Sequence, residues 1–96
     1  MIGIVATIKV QAGKGPDFET VFLELAGKVR ANEPGNLFYQ LTKSRAEADT
    51  YKVLELYRDQ DSLAAHGQSE HFKEVGRRMG AFMAGRPAVE LLDAIG

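Results

Sequence analysis

The 96 residues carry 12 Lys and Arg against 13 Asp and Glu, a net charge of −1, with 45% of positions hydrophobic and 26% charged. That composition fits one globular domain spanning residues 1–96, and its scattered, nearly balanced charge excludes the basic footprint of a nucleic-acid binder or of a helix lying on an anionic membrane. Zero Cys excludes a disulfide scaffold, a thiolate zinc site, an iron–sulfur cluster and a cysteine nucleophile.

The apolar start Met1–Val10 lacks a basic leader, breaks at Lys9 and is too short to span a bilayer. It reads as a strand of a cytoplasmic protein, with Ile4, Ala6, Ile8 and Val10 on one face and Val5, Thr7 and Lys9 on the other. Gln11–Gly15 ends it, and Pro16, Asp17 and Glu19 open a helix whose apolar stripe is Phe18, Val21, Phe22, Leu25 and Val29. Asn32-Glu33-Pro34-Gly35 stops that helix, with Asn32 expected as a left-handed cap. Leu37–Lys43 and Tyr51–Arg58 read as two antiparallel strands joined by the polar segment 44–50. Asp59 or Ser62 can cap a short helix running through Leu63 and His66. Ser69 can cap a longer one with the stripe Phe72, Val75, Met79, Phe82 and Met83, ended by Gly85-Arg86-Pro87. Val89, Leu91 and Ile95 mark a last strand, apolar on both sides because of Leu92.

This order predicts an α+β chain of the ferredoxin-like, split βαβ type with a four-stranded antiparallel sheet. The helices cover one face of the sheet, yet apolar residues occur on both parities of the first, third and fourth strands. A small chain with an uncovered apolar sheet face is expected to pair with a second copy of itself.

The third strand puts Tyr51, Val53, Glu55 and Tyr57 on one side. In a pocket between sheet and helices, desolvation would raise the Glu55 pKa toward neutrality and fit it for proton transfer; on an open sheet Glu55 would pair with a neighbouring Lys or Arg. His66 has the free pKa of a general base, and its place at a helix end equally suits a cap on the last carbonyls. His71 and Glu74 lie one turn apart, but with His66 they form no recognisable metal motif, and a solvated helix face is the simpler reading. Tyr39 and Tyr51 can offer hydroxyls and ring surface to a ligand, and Met79, Phe82 and Met83 suit a core or an adaptable apolar wall. No phosphate-binding glycine pattern or serine-nucleophile motif is present.

Taken together, Val5-Ala6-Thr7-Ile8-Lys9-Val10 with Gly13-Lys14, Phe18 and Phe22, Glu33-Pro34-Gly35 followed by Tyr39, Tyr51, Glu55, Tyr57, Asp59, Leu63, His66 and His71-Phe72 resemble the antibiotic biosynthesis monooxygenase (ABM) family, which includes small quinol monooxygenases. The resemblance implies a dimeric α+β barrel with an apolar cavity in each protomer. It also implies oxidation of phenolic, anthrone-like or quinol substrates by molecular oxygen without metal, flavin or haem. It places Glu55 and His66 at the family's recurrent Glu and His. The expected roles are His66 as the base for the phenolic proton, Glu55 orienting it or a water, and Tyr51 and Tyr57 positioning the ring. Tyr39, Phe72, Met79 and Phe82 complete the expected substrate pocket. Related folds degrade haem using a pocket Trp, which this chain lacks. Others isomerise or degrade phosphorylated sugars, which would call on cations such as Arg58 or Arg86. A non-catalytic dimer binding a hydrophobic ligand is a further alternative, because the fold alone does not select the activity.

Overall fold

Alternation in the first ten residues sets the sheet. In the computed structural model, which describes all 96 residues, β1 (Ile2–Lys9) lies inside a four-stranded sheet of order β2-β3-β1-β4, with β2 Asn36–Lys43, β3 Thr50–Tyr57 and β4 Ala88–Asp93. All three pairings are antiparallel, and opposite residues share a face: Ile8 with Tyr51, Ala6 with Val53, Ile4 with Glu55, and Tyr39 with Glu55 from the other side. This is the predicted ferredoxin-like α+β arrangement.

Helix α1 (Gly15–Asn32) has Pro16 in its first turn and buries Phe18, Phe22, Leu25 and Val29 on the sheet. Phe18 packs on the Tyr51 ring with centroids 4.9 Å apart, and Phe22 stacks on Tyr39 at 5.5 Å. Asn32 is not the left-handed cap expected of it. It ends the helix and its side-chain amide donates back to the Lys28 carbonyl at 2.8 Å, while the chain turns out at Glu33, whose φ is −120°. Pro34 is the cause, since a residue before proline is driven out of the helical region.

Helix α2 (Gln60–Gln68) is capped by Asp59, which accepts from the Ser62 N–H, and α3 (Glu70–Met79) by Ser69. The Ser69 hydroxyl accepts from the Phe72 N–H and donates to the His66 carbonyl at 2.7 Å, so one side chain ends α2 and begins α3. The stripe predicted to continue to Phe82 and Met83 stops at Met79. Beyond Gly80 the backbone leaves the helix and binds the end of β1: Gln11 N–H donates to the Phe82 carbonyl and Ala84 N–H to the Lys9 carbonyl, each at 2.8 Å. Strand β4 is a sheet edge whose side chains are all exposed, and it ends at Asp93, before Ile95. No helix is long and apolar enough to cross a membrane.

The core is the layer between α1, α3 and the inner face of β1 and β3. Replacing Phe18 by Ala should cost about 3–5 kcal/mol in urea unfolding. Leu23→Ala, at a residue of the same helix that is itself 58% exposed, should change stability by no more than about 0.5 kcal/mol.

Candidate active site

Helices α1 and α3 leave a gap over β1 and β3, and it forms a cavity of about 400 Å³. Its floor is Ile4, Ala6, Ile8 and Val53, and its sides come from Phe22, Leu25, Leu63, Phe72 and Met79. Tyr39, Glu55 and His66 bring the polar atoms, which makes it an apolar pocket with a few convergent polar groups, the usual form of a small-molecule site.

Glu55 finds no cation. The residues opposite it are Ile4 and Tyr39, and its Oε1 accepts a hydrogen bond from the Tyr57 hydroxyl at 2.7 Å. Burial pushes its pKa up to about 7, against the lowering effect of that hydrogen bond and with a further upward push from the Glu33 charge. The open-sheet alternative, a cross-strand ion pair, is therefore not what the structure contains. Tyr39 and Tyr57 are both raised above the ordinary phenol value, first by burial and then by the Glu55 charge, and stay protonated as hydrogen-bond donors.

His66 is buried on the inner side of α2 between the rings of Tyr39, Tyr57 and Phe72, at centroid distances of 5.4, 5.4 and 4.7 Å. It is not a carbonyl cap: its Nδ1 lies 2.9 Å and 3.0 Å from the two oxygens of Glu33. With that carboxylate ionised, Nδ1 carries the ring proton and Nε2 keeps its lone pair. Burial lowers the His66 pKa, the Glu33 hydrogen bond and charge oppose this, and His71 adds to the lowering. The ring is thus held neutral, the state of a base.

Glu33 is the residue of the candidate site that motif reading missed. It marked a helix stop and a family turn, while its carboxylate joins His66 to His71, whose Nε2 is 2.5 Å from Oε2. Nothing in the local sequence links residues 33 and 38 positions apart. A continuous helix would also set His66 and His71 about 140° apart at 100° per residue; the break at Ser69 brings both to one carboxylate.

Not every expected pocket residue reaches the cavity. Tyr39, Glu55, His66, Phe72, Met79 and Met83 line it. Tyr51 lies beyond the wall, packed on Phe18 with its hydroxyl donating to Glu19 at 2.5 Å, because its strand position faces the start of α1. Tyr57 serves Glu55 from behind the wall. Phe82 is tied to the end of β1 by its backbone. Neither Tyr51 nor Tyr57 is placed to position a substrate ring. Glu74 pairs with Arg78 at 3.4 Å rather than sharing a ligand point with His71, and the cavity wall includes no Lys or Arg, with Arg58 in a separate polar cleft.

The antibiotic biosynthesis monooxygenase family model matches residues 1–78. The chain is 33% identical over 73 residues, 76% of each protein, to the Bacillus subtilis (strain 168) protein named "Putative monooxygenase YcnE". It superposes with a TM-score of 0.96 and 57% identity on the crystal structure of a "putative antibiotic biosynthesis monooxygenase" from Caulobacter crescentus CB15, covering 99% of this chain and 90% of that one. A Nitrosomonas europaea protein of the same description, 18% identical with complete coverage of both chains and a TM-score of 0.89, shares the fold. With the family model spanning 78 of the 96 residues and the site built on its framework, this chain belongs to the antibiotic biosynthesis monooxygenase family.

Proposed function

We propose that the protein is a cofactor-independent monooxygenase that oxidises a phenolic, polycyclic aromatic or quinol-like molecule with molecular oxygen, using His66 as the base. The observation that carries this reading is a buried, neutral imidazole on the wall of an apolar cavity, its Nδ1 held by Glu33 and its Nε2 free. A phenolic or carbon-acid substrate gives its proton to Nε2, and the resulting anion is electron-rich enough to reduce oxygen. For a substrate of the anthrone type, CH₂ and O₂ become C=O and H₂O. The substrate supplies all four electrons, and His66 returns its proton to the departing oxygen atom. Glu55, half protonated near neutrality, and the Tyr39 hydroxyl are the donors for the developing oxyanion. The apolar walls keep water from this charge.

A proton-transfer enzyme acting on a phosphorylated carbonyl compound would need a cation in the cavity. The wall includes no Lys or Arg, which favours the oxygenase.

A second copy of the chain is the partner we propose for the uncovered sheet face. Phe38 and Leu92 on that face are 49% and 44% exposed, with Val5, Leu54 and Leu56 between them, and an apolar patch of this kind on a small sheet is a contact surface.

Oxygen uptake with a panel of hydroquinones and anthrones should detect turnover by the wild type and a loss of about 10²–10⁴-fold in His66→Ala. Because burial lowers its pKa, His66 stays neutral to a more acid pH than the ordinary 6.5, so activity should persist through neutrality and fall only below that value. Full oxygen-dependent turnover by His66→Ala rejects it as the base; anaerobic turnover of a carbonyl substrate supports the isomerase instead. Sedimentation should find twice the 10.5 kDa of one chain, and Leu54→Glu should halve that mass; a wild-type monomer contradicts the pairing.

A further inference from the structure

Two cavities meet at one carboxylate. His66 stands in the wall of the apolar cavity, whereas Glu33 and His71 stand in the wall of a separate polar cleft with Arg58, Asp59, Asp61 and Ser62. Side-chain exposure rises along the row, from 6% for His66 through 9% for Glu33 to 15% for His71. The row therefore runs from the dry side of the protein toward the wet side.

This row limits what charge His66 can take up. One carboxylate balances one imidazolium, and a second imidazolium on the same carboxylate would leave a net positive charge among buried aromatic rings. Of the other groups near the row, Tyr39 and Tyr57 carry no charge, and Glu55, about half ionised near neutrality, adds part of a negative charge that disappears as it takes up its own proton on acidification. Around the cleft, Arg58 is already paired with Asp59 at 3.6 Å, and Asp61 and Glu74 lie on α2 and α3 without a hydrogen bond to either imidazole.

We propose that Glu33 and His71 form a charge-compensating relay for His66: one excess proton is shared between the two imidazoles, so that protonation of His66 from the cavity expels a proton from His71 into the polar cleft. This rests on the reading of His66 as the base. In the step, the substrate O–H gives its proton to His66 Nε2, leaving a phenolate. His71 loses its Nδ1 proton to water in the cleft and keeps its Nε2–H on Glu33. The carboxylate stays ionised throughout, and the net charge of the three side chains is unchanged. When His66 later returns its proton to the reduced oxygen, His71 recovers one from the cleft. His71 never touches substrate; it is a positioning residue that keeps the base neutralised.

The test is an imidazole ¹H–¹⁵N NMR titration of the folded protein between about pH 4 and pH 9, comparing wild type, His71→Gln and Glu33→Gln. In the wild type the two histidines should titrate as a coupled pair with two steps. In His71→Gln, whose amide still reaches Glu33, His66 should titrate in one step moved up by about one pH unit, because the repelling charge is gone. Glu33→Gln should move His66 down by about the same amount or more. A His66 curve unchanged by His71→Gln overturns the relay. So does a pair of independent single-site curves in the wild type, which decides the matter even if a variant does not fold. The two readings fail separately: oxygen-dependent turnover retained by His66→Ala removes the base role with the titration still coupled, and uncoupled titration with turnover lost in His66→Ala removes the relay alone.

Discussion

The site depends on one carboxylate with two imidazole partners. Glu33 receives Nδ1 of His66 at 2.9 Å and Nε2 of His71 at 2.5 Å, and so ties the end of α1 to both short helices. Three local features make that meeting possible. Pro34 forces the chain out of helix at Glu33. Gly35 lets the turn lie against α2, where a Cβ would collide with the Ser62 side chain. Ser69 closes α2 and opens α3 at a backbone φ of −68° and ψ of 147°, which turns His71 back toward the residue His66 already holds. Hydrogen bonds to a charged acceptor are among the stronger ones, and a buried partner left alone is costly, so these elements hold together as a unit.

The sheet divides the labour of the rest. Its inner face at the start of α1 is filled by Phe18 and Tyr51, and Phe22, packed on Phe18, begins the cavity wall. Toward α2 the same face opens into the cavity, because neither α1 nor α3 covers Ile4 and Ala6 fully and β4 has no helix over it. Glu55 sits at this boundary, where burial raises its pKa and the Tyr57 hydroxyl satisfies one of its oxygens. The aromatic rings around His66 do for its orientation what Glu33 does for its proton. The outer face has no such cover, and Phe38, Leu54, Leu56 and Leu92 make it the natural place for a second copy under the dimer proposal.

The strands and α1 were legible because period-two and period-3.6 patterns are local and repeat: Ile4, Ala6 and Ile8 alternate, and Phe18, Phe22, Leu25 and Val29 share a stripe. Glu55 and His66 were legible as polar candidates from residue type and from position on a strand or helix end, and both line the cavity. Glu33 was not, since its role exists only after the chain has brought residues 33, 66 and 71 together, and as a residue before Pro-Gly it looked like punctuation. Tyr51 misled for a related reason. Alternation correctly put it on the same face as Glu55, but strand parity cannot say how far along the sheet the cavity extends, and two residues separate the cavity floor at Val53 from the packed core at Tyr51. Phe82 and Met83 continued a helical period that two backbone hydrogen bonds override, Gln11 N–H to the Phe82 carbonyl and Ala84 N–H to the Lys9 carbonyl.

Everything in the site follows from Glu33 fixing the tautomer of His66, so that a basic nitrogen is left on the side of the apolar cavity. Long-range ¹H–¹⁵N correlation NMR of the neutral protein reads that directly, since protonated and unprotonated ring nitrogens resonate far apart. His66 should carry its proton on Nδ1 and leave Nε2 bare; a proton on Nε2 with a bare Nδ1 facing Glu33 would contradict this arrangement.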